Sequence, residues 1–265
     1  MTTIFSPLEQ YNINPILSLN LSFLDFVLPF DSLLLLGWVD FSFTNSSLAI
    51  LLATTLFVFL ARFSLASSSI VPTPWQSFFE MIYEFVHTMI EEQIGTKGFK
   101  YFTFIFTLFT FILSVNLLGM IPYSFTATSH IVVTFGLSMA VFIGATIVGF
   151  ASHGLHFFHL LMPSGVPAPL LPLIITIEFV SYLTRGFSLG IRLAANMFAG
   201  HTLLKIIATF AWQMLTAGGL LSIAGLAPLA LLFALIGLEI VIAFLQAYVF
   251  TVLTCSYLND SINLH

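Results

Sequence analysis

The sequence predicts an all-α integral membrane protein, because it is strongly apolar, nearly devoid of charge and interrupted by few breaks. Of its 265 residues, 59% are hydrophobic and 6% are charged. About a quarter of the residues in a soluble domain are charged, so this composition excludes one. Six basic residues against eleven acidic ones exclude a nucleic-acid binder. The single cysteine, Cys255, excludes a disulfide scaffold, and we expect it to serve packing.

A bilayer core takes about 20 apolar residues per spanning helix, so this chain length allows five or six spans. We predict one membrane domain over residues 1–265. Its segments are an interfacial segment at 14–36, a first span at 48–65, an amphipathic surface helix at 73–94, two further membrane helices at 99–120 and 130–150, and a long, strongly tilted C-terminal helical hairpin at 173–215 and 228–258.

The segment 14–36 is apolar, but Asp25, Pro29 and Asp31 interrupt it. This pattern fits a helix lying at the membrane interface better than a span. Residues 1–7 show neither a basic n-region nor an arginine-rich amphipathic stretch, so we expect no secretory signal and no presequence.

The span 48–65 is uninterrupted, and the connection after it holds half of the basic residues: Arg62, Lys97 and Lys100. By the positive-inside bias this connection faces the cytoplasm or the mitochondrial matrix, and the N-terminus faces the opposite side.

The surface helix 73–94 carries its own start signal and an acidic stripe. Thr73 with Gln76 reads as a capping box, and Pro74 stands at the first helical position. Four residues at helical spacing form the stripe: Glu80, Glu84, His87 and Glu91. Either a protein partner or water would meet this face.

The two helices that follow, 99–120 and 130–150, are apolar throughout. In the second we expect Gly136, Gly144 and Gly149 to allow close helix packing. The loop 152–172 then holds His153, His156 and His159. A metal site needs more converging ligands than these, which favours packing or proton collection.

The hairpin is predicted from the length of its two apolar segments. A helix over 173–215 would be roughly 60 Å long, whereas the hydrocarbon core is about 30 Å thick. It must therefore tilt steeply or break. The second arm, 228–258, is also longer than a span needs, and the glycine-rich link 217–225 would join the two arms.

Ionisable residues inside a bilayer are costly, so those in the hairpin are candidate functional residues. Steps of 7, 7 and 4 residues keep one stripe of the first arm within about 40° on a helix: Glu178, Arg185, Arg192 and Asn196. His201 points about 180° from Arg192. The second arm carries three polar residues within about 60° of one another: Glu239, Gln246 and Asp260.

If the hairpin brings His201 to Glu239, the two form a buried pair that exchanges protons. Arg192 cannot relay protons, because a guanidinium keeps its proton in a protein. It can attract a passing carboxylate and repel protons. The alternative is a buried Arg–Glu pair that only fixes helix packing.

The stretch Ser188-Leu-Gly-Ile-Arg-Leu-Ala-Ala-Asn-Met-Phe-Ala-Gly-His201 resembles the signature of the ATP synthase subunit a family. The run Asn116-Leu-Leu-Gly-Met-Ile-Pro-Tyr123 and the spacing of Glu239 and Gln246 are similar to two further motifs of that family. The similarity extends over nearly the whole chain.

This resemblance implies a proton-conducting stator subunit of F-type ATP synthase, not an enzyme on its own and without a cofactor. Arg192 would face the rotor ring of subunit c and separate two offset half-channels. The entrance half-channel would lie near Asn116, His201, Glu239, Gln246 and Asp260, and Glu178 would belong to the exit. Expected partners are also the peripheral-stalk subunit b, small membrane subunits and lipid.

The order of His201 and Glu239 resembles the mitochondrial arrangement and implies the mitochondrial inner membrane, with the bacterial plasma membrane as the alternative. Two other classes remain as alternatives. A quinone- or haem-binding respiratory subunit would need histidines facing each other, and a secondary transporter would be built from internal repeats that we do not find.

Overall fold

The structure is a computed structural model, and it describes residues 11–17, 43–66, 71–121, 124–154, 156–157, 171–219, 222 and 224–263. Within them the chain is helical apart from two short strands, so the all-α class is confirmed. The elements are β1 (Pro15–Leu17), β2 (Phe43–Thr44), α1 (Asn45–Leu65), α2 (Pro74–Gln93), α3 (Phe102–Gly119), α4 (Ile131–His153), α5 (Leu171–Thr216) and α6 (Leu226–Ile262), with 3₁₀ turns at Thr96–Tyr101 and Ala127–Ser129.

In the described part of the chain, five helical segments are long and apolar enough to cross a membrane: Asn45–Ser64, Thr96–Gly119, Ile131–His153, Leu173–Thr216 and Leu226–Ile262. The chain is therefore a multi-pass membrane protein. Helix α2 is the amphipathic one. It buries one face through Ile82, Val86 and Ile90, while Glu80 and Glu84 on the opposite face are exposed.

The predicted interfacial helix at 14–36 is wrong in its first residues, where β1 pairs antiparallel with β2. The backbone N–H of Asn45 donates to the carbonyl of Asn14 at 3.2 Å, and its side-chain amide donates to the carbonyl of Asn12 at 3.0 Å. These bonds tie the N-terminal segment to the start of α1, and they hold that segment in an extended conformation. Residues 18–36 lie outside the described part of the chain.

The surface helix α2 begins at Pro74 as predicted, but only one of the two bonds of the predicted capping box is present among the described residues. The hydroxyl of Thr73 accepts a hydrogen bond from the backbone N–H of Gln76, and Pro74 is the first helical residue. The Gln76 side chain donates to Glu80 Oε1 at 2.8 Å. The cap therefore supplies an acceptor for an N–H that has no partner inside the helix.

Helices α3 to α6 form the core together with the buried face of α2, and Phe109, Leu193 and Phe250 lie in it, each at most 1% exposed. The contact between α4 and α5 is made close by small residues of α5 rather than by the glycines of α4. A Cβ at Gly190 would lie 2.9 Å from the Cα of Phe135, and the hydroxyl of Ser138 donates to the carbonyl of Gly186.

The packing role expected for three α4 glycines is wrong for two of them. No described residue lies within 4 Å of a Cβ placed at Gly136 or Gly144, whereas a Cβ at Gly149 would clash with the ring of Phe157 beyond the helix end. A glycine in a membrane helix permits close packing only where a neighbour approaches it, and here α5 brings its own small residues to the contact.

The two arms of the hairpin are α5, with 46 residues, and α6, with 37. At 1.5 Å per residue they are about 69 and 55 Å long, which exceeds the hydrocarbon thickness of about 30 Å. The link contains Gly218 at φ 73° and Gly219 at φ 65°, a conformation that glycine adopts without steric cost. Their tilt in the membrane stays a prediction.

Candidate functional site

The hairpin brings His201 of α5 to Glu239 of α6, as the sequence predicts. His201 Nδ1 lies 3.2 Å from Glu239 Oε1, although the two groups are not aligned as a hydrogen bond. Glu239 is 4% exposed. A Cβ at Gly200 would lie 2.7 Å from Glu239 Oε1, so a glycine at this position lets the carboxylate reach α5.

Three amide side chains extend this pair into a polar cluster that joins three helices. Asn196 Nδ2 donates to Gln246 Oε1 at 2.8 Å across the hairpin, and Asn116 Nδ2 of α3 donates to the carbonyl of Ala243 at 3.3 Å. Several buried atoms of this cluster have no hydrogen-bond partner among the described residues: Asn116 Oδ1, His201 Nε2, Gln246 Nε2 and both carboxylate oxygens of Glu239. Buried polar atoms are nearly always hydrogen-bonded, so this set is suited to holding water and protons.

A cavity of about 820 Å³ leads to this pair. Its inner wall includes His201 and Glu239, and Lys205 lies one turn further along α5. Its rim includes Asn45 at the start of α1 and Gly119 at the end of α3. Both of these ends lie on the side opposite the basic connection that contains Lys97, so the cavity opens on that side.

Arg192 lies on the outer surface of α5. The residue is exposed, and within the described part of the chain it makes no hydrogen bond or ion pair. The residues that follow it, Leu193 and Ala194, are at most 1% exposed and pack into the core. The alternative of an Arg–Glu packing pair is therefore wrong for Arg192 within the described residues.

Arg185, two helical turns earlier, is paired instead. Its Nη1 donates to Asp260 Oδ2 at 3.1 Å, and its Nη2 lies 3.9 Å from Glu178 Oε1. The hydroxyl of Tyr257 donates to the Arg185 carbonyl at 3.2 Å. We call Glu178, Arg185 and Asp260 the acidic cluster.

Asp260 is therefore misplaced by the sequence-based expectation, which groups it with His201 and Glu239. It follows Glu239 by 21 residues in one helix, which is about 31 Å along the axis. Residues spaced by multiples of seven share a helix face, but they lie at different positions along the helix axis. Lys97 Nζ donates to Asn263 Oδ1 at 3.1 Å, so the end of α6 lies on the side of the basic connection.

The histidine loop shows a packing contact in its described part. His153 Nε2 donates to the carbonyl of Ile262 at 3.0 Å and so joins α4 to the end of α6. No three metal-binding side chains converge among the residues that the structure describes. His159 lies outside these residues.

Sequence reasoning missed Gly200, Lys205 and the pairing of Arg185. Lys205 follows His201 by four residues and so shares its helix face, which is a readable signal. Gly200 gives no signal beyond its small size, because its neighbour Glu239 lies on another helix. Arg185 stands in the predicted stripe, but nothing local indicates that Asp260 reaches it.

A family model described as ATP synthase A chain matches residues 46–259. ATP synthase subunit a of Chondrus crispus is 53% identical over 262 residues, covering 99% of this chain and 98% of its relative. ATP synthase subunit a of Marchantia polymorpha is 52% identical over 264 residues, covering 98% and 99%. ATP synthase subunit a of Pelagibacter ubique is 49% identical over 230 residues, covering 87% and 92%. With a family match across the helical core and identities near one half over most of its length, this chain belongs to the ATP synthase A chain family.

Proposed function

We propose that this chain is the proton-conducting stator subunit in the membrane sector of an F-type ATP synthase, with no enzymatic activity on its own. Two offset half-channels, separated by Arg192, would deliver protons to the carboxylates of a rotor ring of subunit c and receive them back. The observation that carries this proposal is that Arg192 makes no hydrogen bond or ion pair with any residue that the structure describes.

A charge within the bilayer is costly unless it is paired or hydrated, and an arginine cannot shed its proton to avoid that cost. Arg185 satisfies this requirement with Asp260, and Arg192 has no such partner among the described residues. An exposed, unpaired guanidinium on a membrane helix therefore calls for an acid from another subunit. A ring of carboxylates moving past α5 supplies one.

The entrance half-channel is formed by the cavity and the pair at its inner wall. A proton would pass from the cavity to Glu239 and His201, and then along the side of the hairpin where Asn196 bonds to Gln246. Asn116 would hold water against α6 in the same region. Protonation removes the charge of a ring carboxylate, which can then cross lipid at low cost.

The exit half-channel would lie at the other end of α5, where Glu178 and Asp260 stand on the side of the basic connection. Arg192 favours the ionised form of the ring carboxylate and so promotes release of its proton. Each proton crossing 100 mV supplies about 2.3 kcal/mol. The offset between the two half-channels would convert this energy into rotation.

We propose the mitochondrial inner membrane as the location, since the order of His201 and Glu239 resembles the mitochondrial arrangement. The relative from Pelagibacter ubique keeps the bacterial plasma membrane as the alternative. The exposed acids of α2 are suited to a contact with subunit b or a small membrane subunit. A bis-histidine haem site is disfavoured because His201 faces a carboxylate.

The test is Arg192→Ala in the assembled complex. We expect the variant to assemble, since the side chain makes no described contact, and to lose proton-driven ATP synthesis. Synthesis by energised membranes and the amount of complex on a native gel are the two measurements. Arg62→Ala, which removes an exposed charge from the last turn of α1, is the matched control. ATP synthesis near the wild-type rate in Arg192→Ala would refute the proposal.

A further inference from the structure

Two arginines on one face of α5 have opposite electrostatic surroundings. Arg185 and Arg192 are seven residues apart, which places them about 20° from each other around the helix and about 10 Å apart along it. Arg185 contacts two carboxylates, whereas Arg192 contacts none within the described residues. The two arginines share a helix face, so their surroundings differ because Glu178 and Asp260 lie beside Arg185 and not beside Arg192.

The acidic cluster has an excess of one negative charge. Glu178 and Asp260 contribute two carboxylates, and Arg185 contributes one guanidinium. The side chains are 39%, 32% and 42% exposed, respectively, in the isolated chain, so none of the three is enclosed by it. A cluster of this composition can take up one proton and become neutral.

We infer that Arg185 is a positioning residue that holds the acidic cluster at a net charge of minus one, so that the cluster accepts one proton at a time and leaves Arg192 free for the rotor ring. This inference rests on the proposed function, and it adds a role for a second arginine. Arg185 acts through the two carboxylates and does not itself carry the proton.

The proton transfers balance without a further reactant. A ring carboxyl group beside Arg192 gives its proton, through water, to a carboxylate of the acidic cluster. That carboxyl group then gives the proton to water on the side of the basic connection and becomes ionised again. Arg185 keeps its own proton throughout.

Without Arg185 the cluster would carry two uncompensated negative charges. Both would attract Arg192, the next guanidinium on the same helix face. Its side chain would then turn toward a fixed acid instead of the moving ring. The cluster would also hold its first proton more tightly, which would slow release.

The experiment compares Arg185→Gln with the double variant Arg185→Gln/Asp260→Asn in membranes that contain the assembled complex. The single variant leaves two unpaired carboxylates, and we expect passive proton flux through the membrane sector to fall by about tenfold, because carboxylates that lose a nearby positive charge release a bound proton less readily. The double variant restores a net charge of minus one, and we expect it to recover to within about threefold of the wild type. Arg62→Gln is the control for removing a positive charge.

A residue that only ties α5 to α6 would behave differently, because the double variant also lacks the ion pair and would conduct no better than the single one. That result would overturn the inference. Arg185→Lys keeps the charge, and we expect it to conduct within about threefold of the wild type, since a point charge still compensates one carboxylate. An equal loss in Arg185→Lys and Arg185→Gln would overturn the inference too, even if Arg185→Gln assembled poorly.

Arg192→Ala in the same membranes separates the two proposals. If it loses coupled synthesis while the double variant fails to recover, only the inference about Arg185 fails. If it retains coupled synthesis, the proposed function fails.

Discussion

Nδ1 of His201 lies 3.2 Å from Oε1 of Glu239, and this contact joins the two arms of the hairpin at the inner wall of the cavity. Neither residue is near the other in sequence, and both carry groups that exchange protons. Their distance means that a proton can pass between them without a large movement of either helix. The pair should therefore tolerate an exchange of its two members better than the loss of one.

We expect His201→Glu/Glu239→His to support more proton flux than either single change. The exchange keeps one imidazole and one carboxyl group across the same gap, whereas each single change places two like groups there. Two carboxylates at this distance repel each other. Passive proton flux per assembled complex is the measurement. No gain of the double variant over the singles would contradict a direct interaction between the two positions.

The proximity of His201 and Glu239 could be predicted from the sequence. An ionisable residue buried in a membrane is costly without a partner, and in a hairpin that partner must lie on the other arm. The position of Asp260 could not be predicted in the same way. Its spacing from Gln246 fixes a face of α6, but its height places it beside Arg185, and the sequence contains no signal for how far α6 continues past the membrane centre.

The long helices follow from unbroken apolar runs, and Pro74 with Thr73 fixes the start of α2. The conformation of residues 15–17 does not follow from their composition, because it depends on pairing with Phe43 and Thr44, which are 26 or more residues further along the chain. The small-residue contact also depends on tertiary structure: α4 and α5 each contain three glycines, yet it is Gly190 of α5 that meets the backbone of Phe135.

Gly200→Ala should slow proton flux although the helix itself tolerates alanine. The added Cβ would lie 2.7 Å from Glu239 Oε1, so the carboxylate must move away from α5. Alanine in a helix interior otherwise adds about 0.5–1 kcal/mol of stability relative to glycine. We therefore expect normal assembly with reduced flux, measured per complex in membranes.

Gly144→Ala is the matched control for Gly200→Ala, because nothing lies within 4 Å of a Cβ at that position. It should conduct protons like the wild type. Equal flux in both variants would show that the approach of Glu239 to Gly200 has no functional consequence.

The loop before α4 should lose protection against amide hydrogen exchange in acid, because it contains the partly buried His130. Burial lowers the pKa of this imidazole from its ordinary value of 6.5, and its Nε2 is buried without a partner. Its ring stacks on Phe125, with the centroids 5.2 Å apart, and meets the edge of the Tyr11 ring. The unfolded loop therefore binds a proton more readily than the folded one. The stability that the neutral imidazole contributes to the folded loop is fully present above pH 6.5. It is lost as the pH drops through the interval between 6.5 and the lowered pKa.

Amide hydrogen exchange of residues 124–134 in the purified complex, corrected for the intrinsic effect of pH, measures this loss on either side of pH 6.5. His130→Phe removes the titrating group and keeps an aromatic ring for the stack. We expect protection in this variant to depend much less on pH. The same acid response in both proteins would assign it to another group.

Gly190→Ala should weaken the contact between α4 and α5 and so reduce assembly. The added Cβ would lie 2.9 Å from the Cα of Phe135 and 3.0 Å from the carbonyl oxygen of Thr134, and backbone atoms cannot turn aside as a side chain does. Overpacking of this kind costs about 1–3 kcal/mol. Thermal stability of the detergent-solubilised complex is the measurement, with Gly136→Ala, which meets open space, as the control. Because Gly190 is near Arg192 in sequence, a normal melting temperature with lost proton flux would instead indicate a shift of α5 toward the rotor ring.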